Sequence, residues 1–305
     1  RRSYAYIIKC TTCNYLIKCK NCNITMKYHK TTNEMKCHHC NYFSNFSSQC
    51  KVCNNKSIKL IGLGTQKIES ILNKLFPSAS IIRYDRDVTQ NKDNYHKILS
   101  DFEKGKYNIL IGTQMIAKGL DFKNVSLVGI INADVGMLLP DFRAGEKIFQ
   151  LIYQLIGRSG RHKKNSKAII QSYNVKDEYI NLACTQKLND FYEFGLRERE
   201  SLFYPPFSRL IKISVHGGNK LKVKSKINVI HKKLTPLKCL NILGPAIAPI
   251  EKINNRYRMH IIIKSHKKDW ILIFNHIINK IGFSTFENKS KSVSVKIDVD
   301  PISFL

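Results

Sequence analysis

Between Ile58 and Tyr173 the chain alternates short apolar runs with longer segments whose apolar residues recur every three or four positions. The short runs predict strands and the longer segments predict helices. Two runs, 107–112 and 126–132, are dense in apolar residues, as central parallel strands covered on both faces are. The elements predicted, in chain order, are strand 58–61, helix 67–75, strand 80–84, helix 93–103, strands 107–112 and 126–132, helix 143–156 and strand 168–173.

This order of strands and helices predicts an α/β body with a doubly wound parallel sheet. Functional loops in such a sheet leave the carboxyl ends of the strands, which here are segments 113–122 and 133–142. Segment 157–161 is the third candidate loop, and the eight residues 154–161 carry the most chemistry. Arg158 and Arg161 would share a helix face, so their guanidinium groups could converge on a triphosphate and neutralise charge during phosphoryl transfer. A solvated, arginine-rich helix end is the alternative.

After Asp177 the strict alternation stops and a helical, aromatic connector leads to Tyr204-Pro-Pro-Phe207. The remaining pattern predicts a β-α-β-β-α-β domain: strand 210–216, helix 220–234, a hairpin of 241–253 and 256–264 across Asn254-Asn255, helix 268–281 and strand 293–299. The predicted organisation is a zinc-binding insert at 1–56, an α/β lobe at 57–177, a helical connector at 178–206 and a C-terminal domain at 207–305.

The charge balance points to a polyanionic partner. The 305 residues include 51 lysines and arginines against 22 aspartates and glutamates, a net charge of +29. Nucleic acid is the first partner to consider for such a surface, although a lysine-rich composition also arises in proteins encoded by A+T-rich genomes. No apolar run approaches the ~18 residues of a membrane span, so no membrane contact is expected.

Eight of the ten cysteines form four Cys-x-x-Cys pairs within residues 10–53. A two-residue gap lets both thiolates of a tight turn reach one tetrahedral ion, so eight thiolates predict two Zn²⁺ sites. The spacing favours a nested assignment, because five residues between the first two pairs are too few for a two-stranded ribbon and fourteen between the middle pairs suit one. Sequential pairing remains the alternative. The nested sites are Cys10, Cys13, Cys50 and Cys53 (zinc 1), and Cys19, Cys22, Cys37 and Cys40 (zinc 2).

Because cysteines fill both predicted sites, these zinc ions are expected to be structural and not catalytic. His38 and His39, inside the third pair, are interpreted as loop residues. Cys184 and Cys239 lie alone in apolar surroundings and are expected to be buried and inert. Cysteine used for metal in this way indicates a reducing, cytoplasmic compartment.

At this point the sequence resembles the primosomal protein N′ (PriA) family, superfamily 2 DNA helicases of replication restart. The resemblance covers nearly the whole chain. Besides the eight-cysteine insert, it rests on Gly62-Leu-Gly-Thr65, Phe76-Pro77, Asp85-Arg-Asp87, residues 111–122, Asn132-Ala-Asp134, Pro140-Asp-Phe-Arg-Ala144, residues 154–161, Tyr204-Pro-Pro-Phe207 and Asp298-Val-Asp-Pro301.

The resemblance implies a RecA-like second helicase lobe whose insert binds two zinc ions in the nested pairing. It implies that segment 113–122 is helicase motif V, coupling DNA to the nucleotide through Thr113, Gln114, Lys118, Gly119 and Asp121. Segment 154–161 would be motif VI, with Gln154 and the arginine fingers Arg158 and Arg161 facing ATP and Mg²⁺. Departures from the family pattern occur at Gln66, Leu120, Lys123, Ile156 and Ser159, none of which removes a charged catalytic group.

The resemblance also implies partners and a location. Expected partners are forked and single-stranded DNA, other primosome proteins and single-stranded DNA-binding protein, met in the cytoplasm at the nucleoid. The C-terminal domain would bind DNA and partner proteins. Two basic groups in it, Lys264/His266/Lys267/Lys268 beside Trp270 and Lys222/Lys224/Lys226, are read either as phosphate-binding patches or, preferably, as solvated faces.

The sequence contains neither Gly-x-x-x-x-Gly-Lys-Ser/Thr nor Asp-Glu-x-His, so the phosphate loop and magnesium-binding carboxylates of a first lobe are not in this chain. The chain is then either the C-terminal part of a longer protein or a shortened member of the family. We expect the first, a part of a 3′–5′ helicase that is inactive by itself. The competing hypothesis is a non-enzymatic, zinc-containing DNA-binding protein that recruits partners at forks.

Overall fold

The computed structural model describes residues 7–304 with the exception of 23, 31, 38–39, 63, 86–91, 118–123, 138–140, 160–165, 238–240, 280–287 and 290–291. The chain forms two compact units. The first comprises Arg1–Lys20, Ile24–Met137 and Gly145–Gln186, and the second comprises Asn21–Asn23, Leu138–Ala144 and Lys187–Leu305. No helix of the described residues is long and apolar enough to cross a membrane.

The cysteine-rich segment is built from short antiparallel strands: β1 (Ile7–Cys10), β2 (Lys27–His29), β3 (Glu34–Lys36), β4 (Phe43–Asn45) and β5 (Ile58–Ile61). Strands β2, β3 and β4 form one three-stranded sheet. Strand β1 pairs with β5, with Cys10 opposite Ile58, and so closes the two ends of the segment on each other. The strand predicted at 58–61 is present, but among the described residues it pairs antiparallel with β1 and not with a parallel sheet.

The rest of the first unit alternates strands and helices. In chain order these are α1 (Thr65–Leu75), β6 (Ile81–Tyr84), α2 (Lys92–Glu103), β7 (Ile109–Gly112), β8 (Leu127–Ile130), α3 (Asp134–Met137), α4 (Ala144–Ser159), β9 (Lys167–Ile170) and α5 (Glu178–Cys184). Helix α1 packs on β6 and β7 with its apolar stripe. The predicted elements are all present, with ends shifted by one to three residues.

The predicted parallel pairing of strands is confirmed for two separate pairs of strands. Strand β6 pairs with β7, and β8 pairs with β9. The expectation that the apolar runs are covered on both faces is wrong for β8, because Leu127 is 57% exposed and Ile169, opposite Gly129 on β9, is 60% exposed. Alternate residues of a strand point to opposite faces, and here only one face of the β8–β9 pair is covered.

The second unit contains α6 (Leu188–Ser201) and an antiparallel sheet. Its elements are β10 (Arg209–Gly217), α7 (Lys220–Leu234), β11 (Asn241–Ile253), β12 (Arg256–Ser265), α8 (Trp270–Ile277), β13 (Asn288–Lys289) and β14 (Val293–Val299). The strand order is β11-β12-β10-β14-β13. The β-α-β-β-α-β order is therefore present, with β13 as a two-residue addition. The connector expected at 178–206 holds two helices, α5 and α6, which belong to different units.

The core of the second unit lies on one face of this sheet. Every second residue of β10, namely Ile211, Ile213 and Val215, is buried there against α7 and α8. On α7 the buried residues recur at helical spacing: Val223, Ile227, Ile230 and Leu234. Asn219 begins the helix, since its side chain accepts hydrogen bonds from the N–H groups of Leu221 and Lys222.

Candidate metal centre and functional site

The outer cysteine group consists of Cys10, Cys13, Cys50 and Cys53, whose sulfur atoms all lie within 4.8 Å of one another. The closest pairs, Cys10–Cys53 and Cys13–Cys50, are 3.6 Å apart between Sγ atoms. A tetrahedral ion with bonds of ~2.3 Å to sulfur places its ligands about 3.8 Å apart. The spacing of the four sulfurs therefore fits one zinc ion.

The inner group has the same arrangement. The sulfur atoms of Cys19, Cys22, Cys37 and Cys40 also lie within 4.8 Å of one another, and those of Cys19 and Cys40 are 3.5 Å apart. The first pair therefore joins the fourth and the second joins the third, which is the nested assignment and not the sequential one. The β2–β3 hairpin occupies the fourteen-residue interval between Cys22 and Cys37, and it folds the third pair back onto the second.

An asparagine follows each of the four Cys-x-x-Cys pairs, a signal present in the sequence that was not used for the predictions above. Of these, Asn14, Asn41 and Asn54 have φ values of 60°, 57° and 56°, in the left-handed region that Asn tolerates better than other non-glycine residues. In the fourth pair the N–H of Asn54 donates to the carbonyl of Cys50, and the N–H of Cys50 donates to the carbonyl of Asn55. This tight turn is what aims both sulfurs of a pair at one point.

The thiols of the outer group differ in pKa because their hydrogen bonds differ. The backbone N–H of Cys13 and the Ser57 hydroxyl lower the pKa of Cys10 to about 5. The backbone N–H of Tyr15 lowers the pKa of Cys13, but burial and the neighbouring sulfurs outweigh it and raise this pKa to about 12. Four sulfurs in contact repel one another as thiolates, and a divalent cation is the group that allows all four to be ionised.

The other cysteine and histidine predictions have mixed outcomes. Cys184 is exposed at the end of α5, so the expectation of a buried side chain is wrong, although partial burial raises the pKa of its thiol. Cys184 is the last residue of α5, and it is exposed although the sequence around it is apolar. His38, His39 and Cys239 lie outside the described residues.

Residues 113–117 of the segment predicted to be motif V are described. Thr113 directly follows β7, and its carbonyl accepts from the N–H of Ile116 to start a short 3₁₀ turn at Gln114–Ala117. Gln114 is exposed at the carboxyl end of the strand, the edge where a parallel sheet carries its functional loops. A side chain at Gly112 would collide with Ile116 and with the carbonyl of Tyr84, so this turn packs closely on β6. Lys118, Gly119 and Asp121 lie outside the described residues.

Residues 154–159 of the segment predicted to be motif VI form the last turns of α4. The helix extends to Ser159, three residues beyond the predicted end, and Gln154 is exposed on it. Arg158 is helical, while its side chain and the whole of Arg161 lie outside the described residues. No atom of the described residues lies within 4 Å of where a side chain at Gly157 would stand.

Three motif segments of the second unit meet one another. The ring of Phe142 stacks on that of Tyr204 at 4.3 Å between centroids with an interplanar angle of 9°. The guanidinium of Arg143 donates to the carbonyl oxygens of Pro301 and Ile302 at 3.1 and 3.2 Å. The motifs around 141–144, 204–207 and 298–301 therefore contribute to one packed cluster.

The residues of the predicted basic patch at Lys264–Lys268 differ in exposure. Lys264 is 5% exposed, lies 3.5 Å over the ring of Tyr204 and donates to the carbonyl of Leu202. It is a packing residue and not part of a surface patch. His266, Lys267 and Lys268 are exposed, and the guanidinium of Arg209 lies 4.0 Å over the ring of Trp270. Lys222, Lys224 and Lys226 are also exposed, on the outer face of α7.

Comparison with known proteins assigns both parts of the chain. Residues 26–163 match the family model of the helicase conserved C-terminal domain, and residues 200–302 match that of the primosomal protein N C-terminal domain. The replication restart protein PriA of Bacillus subtilis is 38% identical over 99% of this chain, covering 37% of that protein. The PriA of Borreliella burgdorferi is 38% identical over 100% of the chain and 46% of that protein, and the PriA of Treponema pallidum is 33% identical with the same coverage.

The chain thus spans less than half the length of the curated relatives that it matches. These matches cover 99–100% of the chain, so they include the cysteine groups, the helicase segment and the C-terminal domain. By this similarity the chain belongs to the PriA family of replication restart proteins.

Proposed function

We propose that the protein containing this chain is an ATP-dependent 3′–5′ DNA helicase that recognises stalled replication forks and initiates primosome assembly. The observation that carries the proposal is the similarity to replication restart proteins named PriA over the full chain, together with the helicase C-terminal match at residues 26–163. The fold is consistent with it, since Thr113 directly follows the parallel strand β7 and residues 154–159 form the last turns of α4.

Two structural Zn²⁺ ions would hold the cysteine-rich segment together, one in each group of four sulfurs. The strands of this segment are only three or four residues long, so little apolar burial is available to stabilise it. Zinc can contribute on the order of 10–16 kcal/mol to folding in small cysteine-ligated domains.

Elemental analysis tests the zinc sites. We expect two zinc ions per chain, one ion in Cys19→Ala, and two in Cys184→Ala, whose thiol belongs to neither group. A wild-type content of one ion, or two ions retained by Cys19→Ala, would contradict the assignment.

In the motor, Gln154, Arg158 and Arg161 would face the triphosphate of ATP, which a first lobe would hold together with Mg²⁺. Arginines supplied from outside the nucleotide-binding lobe neutralise charge that develops on the phosphoryl group, an effect worth roughly 10³–10⁵ in rate. They cannot bind the nucleotide and magnesium alone. Residues 1–305 should therefore be inactive as an ATPase without a first lobe.

The ATPase test uses this chain joined to a first lobe that contains a phosphate loop. DNA-stimulated hydrolysis is expected, with Arg158→Ala and Arg161→Ala losing most turnover while nucleotide binding remains. Arg197→Ala is the matched control, because this arginine is exposed on α6 and lies outside segment 154–161 of the sequence. Full activity of the double arginine variant, or activity of the chain alone, would contradict the assignment.

Thr113, Gln114, Lys118, Gly119 and Asp121 would link bound single-stranded DNA to the nucleotide. The net charge of +29 supports binding to forked and single-stranded DNA through phosphates, largely independent of base sequence. The logarithm of affinity should then fall steeply and linearly with the logarithm of salt concentration. A flat dependence would mean that the lysine content reflects base composition of the gene and not a DNA path.

Other primosome proteins and single-stranded DNA-binding protein would be partners, met in the cytoplasm at the nucleoid. The alternative, a non-enzymatic zinc-containing DNA-binding and recruiting protein, shares the zinc and salt results. It differs in the ATPase result, where the joined protein would bind DNA without hydrolysing ATP.

A further inference from the structure

The β11–β12 hairpin ends in a two-residue turn made by Asn254 and Asn255. Their φ values of 48° and 61° and the flanking pair Ile253–Arg256 are those of a type I′ turn, which matches the twist of the two strands. Both asparagine side chains are exposed. The turn is therefore not held by burial of its side chains. Its contacts are two backbone N–H hydrogen bonds and one hydrogen bond from the Asn255 side chain.

The contacts of this turn reach the second cysteine pair, 232 residues earlier in the chain. The N–H of Asn254 donates to the Sγ of Cys22 at 3.4 Å. The N–H of Asn255 donates to the carbonyl of Asn21 at 2.9 Å, and its side-chain amide donates to the Oδ1 of Asn21 at 3.4 Å. Asn21–Asn23 and the hairpin lie in the same compact unit.

A hydrogen bond to a metal-binding sulfur matters because a site of four thiolates and Zn²⁺ keeps a net charge of −2. Each N–H aimed at a sulfur stabilises that charge and fixes the direction of the side chain. In the outer group such a donor comes from the turn itself, where the N–H of Val52 lies 3.4 Å from the Sγ of Cys50. Cys22, which is 0% exposed, receives one from a distant hairpin.

We propose that the Asn254-Asn255 turn is a clamp on the inner cysteine group, in which the backbone N–H of Asn254 supports the thiolate of Cys22 while Asn255 holds Asn21 in place. Metal retention by the inner group then depends on the hairpin, whereas metal retention by the outer group does not. This inference rests on the proposed binding of metal by the inner group.

The direct test replaces zinc by ¹¹³Cd in the full 305-residue chain and records ¹H–¹¹³Cd correlations. The amide proton of Asn254 should show a scalar coupling to the inner cadmium, transmitted through the sulfur of Cys22. An inner ¹¹³Cd signal with couplings from its cysteines but none from the assigned Asn254 amide would overturn the clamp. Absence of the inner signal altogether would instead contradict the proposed metal site.

Variants of the turn give a second measurement. Asn255→Val places a β-branched residue at a positive φ and should distort the turn, whereas the double variant Asn254→Gly/Asn255→Gly accepts the same φ values and keeps the N–H of residue 254. Loss of cadmium from each site to a chelator is followed by the two ¹¹³Cd signals.

Asn255→Val should retain metal about 10–100-fold less well in the inner group, with the outer group unchanged as the internal control. The glycine variant should retain metal in the inner group nearly as the wild type does. Equal loss from both groups in Asn255→Val, or no loss, would contradict the proposal.

Discussion

The hydroxyl of Thr65 donates a 2.6 Å hydrogen bond to a carboxylate oxygen of Asp85, and both side chains are buried, at 1% and 0% exposure. Thr65 is the first residue of α1 and Asp85 directly follows β6, so the bond joins the start of the helix to the end of the strand on which it packs. The guanidinium of Arg83 lies 3.7 Å from the same oxygen and 3.0 Å from Glu69 of α1. The Asp85 carboxylate is therefore held in the interior of the first unit, just after the end of β6.

Thr65→Val is expected to destabilise the first unit by about 1–3 kcal/mol, because it keeps the side-chain shape but removes the hydroxyl that donates to a buried carboxylate. Thr65→Ser keeps the hydroxyl and should cost clearly less. Chemical denaturation followed by circular dichroism measures both. Equal stability of Val and Ser variants would show that the hydrogen bond makes no net contribution.

The left-handed asparagines of the cysteine turns predict a second stability difference. Asn54→Gly should be close to neutral, since glycine adopts φ of +56° without strain. Asn54→Val should destabilise the zinc-loaded segment by at least ~1–2 kcal/mol, the cost of left-handed backbone for ordinary residues. Thermal unfolding with metal present gives the comparison, and a valine variant as stable as the glycine variant would refute the need for this conformation.

Close packing at Gly145 predicts that two glycines of α4, Gly145 and Gly157, respond differently to replacement by alanine. A Cβ at Gly145 would stand 2.2 Å from the buried ring of Tyr179, whereas no described atom lies within 4 Å of a Cβ at Gly157. Gly145→Ala should cost about 1–3 kcal/mol through overpacking, and Gly157→Ala, the matched control in the same helix, should stabilise by up to ~1 kcal/mol.

A double-mutant cycle checks the cause of the Gly145 effect. In a Tyr179→Ala background the ring is gone, so Gly145→Ala should lose most of its cost. If Gly145→Ala destabilised the Tyr179→Ala protein as much as the wild type, contact with the Tyr179 ring would not be the cause.

The imidazole of His216 predicts a pH dependence. Burial, then the charges of Arg258, Arg256, Lys296 and Lys212, lower its pKa to about 4, against an ordinary value of 6.5. Because the folded state binds this proton less readily than the unfolded state, stability is complete above pH ~6.5 and falls as the pH drops towards 4. Below that value the loss from this group levels off.

An NMR titration of the His216 ring protons in the folded protein tests this directly. The signal should not move between pH 8 and 5. His231, which lies partly exposed on α7, serves as the comparison in the same spectrum. A midpoint for His216 near 6.5 would contradict the prediction.

Much of the local structure could be predicted from the sequence because it depends on residues near one another in the chain. The period of Val223, Ile227, Ile230 and Leu234 predicts α7 with both of its ends correct. The grouping of the cysteines follows in the same way from loop length, since a ribbon needs the fourteen residues that separate Cys22 from Cys37 and cannot form in five.

Tertiary structure decided the features that depend on distant partners. Apolar composition indicated strand β8 but not that Leu127 would remain exposed, because burial of a strand face depends on what packs over it. Likewise the sequence predicts Lys264 as a surface cation, yet its side chain is buried. It lies over the ring of Tyr204 and donates to the carbonyl of Leu202. The N–H of Asn254 reaches Cys22 for the same reason: backbone groups look alike in every sequence, and only the folded chain determines which distant atom each one meets.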